Sequence, residues 1–166
     1  MDIDAIRSLF GYNHWVNHRL FDLAEQLPPE QTRERFGASF DTIHGTLTHM
    51  VGAEVIWFSR WCGVPPRPVR AEDFADVATI RARWVEQQRE TEAFLAELTP
   101  ERLFTPLQWT ARDGKTYELP LWQPMLQVVN HGTHHRSELA DMLTRAGHPP
   151  PPTDLIVYYQ ELSQRR

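Results

Sequence analysis

Apolar residues recur at helical spacing along most of the chain. From Ile3 to about Leu27 the positions Ile6, Leu9, Phe10, Val16, Leu20, Leu23 and Leu27 share one side of a helix, and Pro28-Pro29 stop it. At about 100° per residue Asn13 and Asn17 fall near the middle of that stripe, whereas His14 and His18 lie roughly 110° and 150° off it and are expected to face solvent. Two amides in an apolar stripe need hydrogen-bond partners, so Asn13 and Asn17 either lock neighbouring helices together or line a polar pocket in the interior.

A second helix is expected from Phe40 to Trp61, capped by Ser39 or Asp41, with Ile43, Leu47, Met50, Ile56, Trp57 and Trp61 as apolar members and Gly63 and Pro65-Pro66 closing it. A third covers about Val77 to Leu98, with Ile80, Trp84, Thr91, Phe94, Leu95 and Leu98 giving the period, Pro100 ending it and a charged opposite face. The helical period then fails. Leu103 to Thr110 and Lys115 to Leu119 flank Asp113-Gly114, a pair favoured in tight turns, and predict a small hairpin. Pro120 and Pro124 suit the first turn of a fourth long helix, which Gly147 and the run Pro149 to Pro152 end. A short helix from Thr153 to about Ser163 completes the chain. The expected fold is an all-α four-helix bundle with a small β-hairpin insertion and a short C-terminal helix, in a single domain over residues 1–166.

Composition agrees with one compact core: 166 residues are 41% hydrophobic, with 13 prolines and 8 glycines. A net charge of -5, with no basic run interleaved with aromatics, argues against nucleic acid as a partner. The start Met1-Asp2-Ile3-Asp4 is acidic where a secretory signal would be positive, and no stretch is apolar enough to span a bilayer, so no membrane and a cytoplasmic location are expected. The lone Cys62, in Trp61-Cys62-Gly63, cannot form an intrachain disulfide and reads as a structural residue at a helix end.

The fourth helix carries the candidate chemistry. Met125, Val128, Gly132, Leu139, Met142 and Ala146 form its apolar stripe, and His131 and His135, four residues apart, fall within it. Imidazoles so placed can share a metal ion. His134 lies about 120° from the stripe centre and reads as an outward residue, not a third ligand. Two histidines rarely hold a functional divalent ion alone, and the second helix offers His44 and His49. That helix is apolar around most of its circumference, so periodicity does not choose between them. Glu54 is a carboxylate alternative, though a solvated or salt-bridged glutamate is its ordinary reading.

Three segments together resemble the DinB family: Tyr12-Asn13-His14-Trp15-Val16-Asn17-His18-Arg19-Leu20; Leu47-Thr48-His49-Met50 with Glu54 and Trp57; and His131-Gly132-Thr133-His134-His135-Arg136. The order and spacing span nearly the whole chain. The resemblance implies a metal-binding four-helix bundle, similar to a superfamily that includes bacillithiol- and mycothiol-dependent transferases and isomerases, with one ligand from the second helix and two from the later one. Carried over, these are His49, His131 and His135. The chain departs at Ser137-Glu138, where the family commonly has glycine and glutamine. Glu138, three residues after His135, reaches the pocket edge and alters its charge; with Asn13 and Asn17 it is a candidate pocket residue.

Three neutral imidazoles leave a divalent charge uncompensated and a coordination position open, as in catalytic zinc sites. Zinc or nickel is expected first, and iron or copper also suits such ligands. The resemblance places activation of a low-molecular-weight thiol, in an S-transferase-like reaction, ahead of hydrolysis by a metal-activated water; a non-catalytic metal- or ligand-binding bundle is the other alternative. The expected partners are a small-molecule substrate, such as that thiol, and a second copy in a homodimer.

Overall fold

The computed structural model describes residues 2–111 and 113–164. Four long helices build the core: α1 (Ile3–Ala24), α3 (Ile43–Cys62), α4 (Val77–Glu97) and α5 (Trp122–Arg145), with a one-turn helix α2 (Pro29–Thr32) after α1 and a short α6 (Leu155–Gln164) at the end. Around the bundle α5 packs on both α1 and α3, and α4 closes the ring against α3 and α1. Strands β1 (Pro106–Thr110) and β2 (Thr116–Pro120) form an antiparallel hairpin between α4 and α5, with Trp109 opposite Tyr117. No helix among the described residues is long and apolar enough to cross a membrane.

Local chemistry sets the helix ends. The Asp2 carboxylate accepts from Ala5 N–H at 2.7 Å to start α1, and the Thr42 hydroxyl accepts from Gly45 N–H at 2.8 Å to start α3. Asp76 and Thr79 cap each other reciprocally at the start of α4. Gly63, at φ 67°, ends α3 in the left-handed region that a side chain would disfavour. One apolar cluster runs through the bundle, with Ile6, Val16, Ile43, Val51, Ile80, Met125, Leu139, Met142 and Leu143 fully enclosed.

Several expectations need correction. α1 ends at Ala24 instead of Leu27, and Pro29 opens α2 rather than only ending the helix before it. The second long helix begins at Ile43, not Phe40, and its cap is Thr42; Asp41 sits at φ 63° and its carboxylate accepts from Gly37 N–H and Arg35. Leu103 lies in a 3-10 turn, Arg102–Phe104, and Pro120 ends β2, leaving Pro124 alone in the first turn of α5. His14 is buried and His18 half-buried, because α4 covers the flank of α1 opposite α5: the Trp84 ring lies 6.2 Å from His14 and 4.7 Å from His18. A bundle helix touches two neighbours, so its buried arc exceeds one apolar stripe.

Candidate metal centre

The α3–α5 seam brings three imidazoles together. His131 and His135 stand one turn apart on α5, and His49 faces them from α3. His131 Nε2 lies 3.1 Å from His49 Nε2 and 3.1 Å from His135 Nε2. One nitrogen carries either a proton or a lone pair, so a neutral His131 Nε2 makes a hydrogen bond with only one of those two neighbours. Three nitrogens converging on one point suit a cation better. Tetrahedral zinc with bonds of about 2.0–2.1 Å separates its nitrogen ligands by about 3.3 Å, close to the spacing here. The three side chains can therefore hold a metal ion.

His44 takes no part. Five residues from His49, it points about 140° around α3, where its Nε2 meets the Phe74 carbonyl and the Arg33 guanidinium, both at 3.2 Å.

Glu138 prepares the donor set. Its Oε2 lies 2.7 Å from His135 Nδ1 and its Oε1 accepts from Ser39 Oγ at 2.6 Å. Partial burial opposes ionisation, but the hydrogen bonds from Ser39 and His135 and the nearby imidazoles outweigh it, holding the carboxyl below the usual range. An ionised Glu138 takes the Nδ1–H of His135 and leaves the lone pair on Nε2, aimed at the other two rings. Burial lowers the pKa of His131, the imidazoles of His135 and His134 add to the effect, and Glu138 opposes it. Exposed His134 stays at the rim, 3.7 Å from Glu138, as expected. His134, His135 and Glu138 also lie close enough to form a cation group, but His135 Nδ1–H donates to Glu138 Oε2, which leaves that nitrogen no lone pair for an ion.

Sequence reasoning missed the wall over this centre. Phe40 stacks on His49 at 3.8 Å and 17°, and meets His135 edge-on at 5.4 Å. Gly45 makes room for that segment: a Cβ there would stand 2.7 Å from the Phe40 carbonyl oxygen. On the other side a cleft of about 510 Å³ opens from His49 and His131 between α3 and the hairpin. Trp57, Trp109 and Tyr117 form its aromatic wall and Arg60 stands at its far end. The only advance signal was the spacing of His49, Trp57 and Arg60 along one helix, since the Trp109–Tyr117 pairing depends on hairpin register.

Asn13 and Asn17 stand away from that cleft, in a buried network that ties the bundle together. Each donates its amide N–H to Glu54 Oε1, at 2.9 and 3.2 Å, and accepts from Arg136 Nη1 through its carbonyl, at 2.5 and 3.3 Å. Trp84 Nε1–H donates to Glu54 Oε2 at 3.1 Å. Of the two readings of these amides, the locking of neighbouring helices describes this arrangement. Glu54 is therefore neither solvated nor among the three imidazoles: burial pushes its carboxyl pKa up, while Asn13, Arg136, Trp84 and Asn17 pull the other way. Gly132 permits the network, because a Cβ there would sit 2.5 Å from Arg136 Nη1 and 2.9 Å from Asn13 Oδ1.

A helical bundle with three histidines converging from two facing helices, covered on one side and open to a cleft on the other, defines a class of α-helical proteins with a candidate metal site in the core. Within that class the chain belongs to the DinB family, whose sequence model matches residues 2–166. It is 26% identical over 161 residues to the protein named Protein DinB of Bacillus subtilis (strain 168), covering 93% of this chain and 94% of that one.

Proposed function

We propose that the protein is a divalent-metal-dependent enzyme that activates a low-molecular-weight thiol for transfer to an electrophile, with His49, His131 and His135 as the metal ligands. The observation that carries this reading is the convergence of three Nε2 atoms beside an open cleft, with Glu138 fixing the tautomer of His135. A divalent ion held there supplies Lewis acidity that favours a thiolate over its thiol near neutral pH. The histidines contribute no charge of their own, so the site remains attractive to an anionic sulfur. Phe40 shields one side of the donor set from water, and the cleft admits the reactants from the other.

The sulfur comes from a small molecule. Cys62, the chain's one cysteine, ends α3 about 20 Å along the helix axis from His49, and burial raises its pKa. Hydrolysis is the weaker reading because Glu138, the carboxylate at the imidazoles, is already engaged by His135 and Ser39 and is poorly placed as a general base.

Cobalt-substituted protein tests the assignment. Adding 2-mercaptoethanol should produce a sulfur-to-metal charge-transfer band, and the loaded protein should speed conversion of that thiol and 1-chloro-2,4-dinitrobenzene to the thioether, chloride and a proton. Both signals should be lost in His131→Ala. A cobalt spectrum unmoved by thiol would contradict the proposal.

A further inference from the structure

We infer that the cleft beside the histidines selects a small molecule with a flat apolar body and a carboxylate, the carboxylate being read by Arg60. The inference depends on the reading under Proposed function only in treating that molecule as a substrate. His49, Ala53, Ile56 and Arg60 follow one another along a single face of α3, and eleven residues at about 1.5 Å each separate His49 from Arg60 by about 16 Å along the axis. Because helical side chains lean towards the N-terminus, Arg60 reaches back over Trp57, with its guanidinium carbon 4.5 Å from the ring centroid. The guanidinium thus borders the same space as the imidazoles, at the opposite end.

Between the two ends the floor is low and the walls are flat. Gly52 and Ala53 leave space next to His49. Trp57 meets Trp109 edge-on at 5.4 Å, and Trp109 stacks on Tyr117 across the hairpin at 5.8 Å and 26°. Aromatic surface on this scale suits an apolar, planar group, and a planar guanidinium suits bidentate pairing with a carboxylate. At about 510 Å³ the cleft has the size of an ordinary small-molecule site. Among the described residues that line it, Arg60 is the one arginine or lysine, in a chain whose net charge is -5, so attraction for an anion at this place is local rather than a property of the whole surface.

Calorimetric titration with 4-phenylbutanoate and its neutral counterpart 4-phenylbutanamide, on both metal-loaded and chelator-treated protein, separates the two ends of the cleft. The carboxylate should bind about fivefold more tightly than the amide in both forms. Arg60→Met should erase that preference while keeping the amide's affinity, Arg60→Lys should retain part of it, and Trp109→Ala should weaken both probes. The inference is overturned if neither probe binds saturably, if the preference survives Arg60→Met, or if it appears only in metal-loaded protein, where the ion would be reading the carboxylate. The chelator-treated arm stands whether or not the histidines hold a metal, so its failure is distinct from failure of the thiol-transfer reading.

Discussion

Glu138 decides which nitrogen of His135 carries the proton, and with it whether the donor set is ready. Glu138→Ala should weaken divalent-metal affinity ten- to a hundredfold, whereas Glu138→Gln, which keeps an acceptor for Nδ1–H, should lose much less. Competition titration with a chromophoric chelator checks this, and equal affinity of Glu138→Ala and wild type would contradict the orienting role. His14 is the other residue whose environment sets a measurable property. Burial lowers its pKa from 6.5 to about 4, against the pull of Glu92 and with a further push from His18. Between those values the unfolded chain binds a proton that the folded chain refuses, so stability falls as pH drops through the window, by up to about 3 kcal/mol. In chelator-treated protein, the loss of urea-unfolding free energy between pH 7 and pH 4.5 should be smaller for His14→Leu than for wild type; equal losses would place the acid sensitivity elsewhere.

The contact between α1 and α5 depends on Gly132 at the scale of elements. Gly132→Ala would push a methyl group into Arg136 and Asn13, both buried, and overpacking of this kind costs about 1–3 kcal/mol. Glu54→Gln replaces an acceptor-only carboxylate by an amide whose N–H groups face donors from Asn13, Asn17 or Trp84, at a cost of about 1–3 kcal/mol. Because Glu54 lies outside the three imidazoles, that variant should unfold at lower urea yet keep its metal stoichiometry, and loss of metal would bring Glu54 into the site. Periodicity made the long helices legible because each buries an apolar stripe, and Thr42 was missed as a cap because Ser39 and Asp41 have the same capping chemistry. The burial of His14 and His18 was not legible, since a stripe drawn for one contact ignores the second neighbour that α4 supplies.

Across the whole molecule, a metal at His49, His131 and His135 would fasten α3 to α5. Binding to the folded state alone stabilises by about 3 kcal/mol when free ion exceeds its dissociation constant a hundredfold, so chelation should lower the thermal midpoint of wild type and leave His131→Ala unmoved. A midpoint indifferent to chelator in both proteins would oppose this. The pair on α5 was legible because four-residue spacing returns to the same face, while His49 needed the family resemblance: α3 is buried around most of its surface and offers no stripe to choose by. Phe40 precedes α3 and the Trp109–Tyr117 wall stands on the hairpin, both outside any helical stripe, and only packing brings them to the imidazoles. The central claim is that these three histidines hold one divalent ion. Elemental analysis by mass spectrometry of tag-free wild type and of His49→Ala, His131→Ala and His135→Ala, purified identically, tests it most directly. The account predicts about one ion per chain in wild type and loss in all three variants; no ion in wild type after reconstitution, or undiminished metal in the variants, would contradict it.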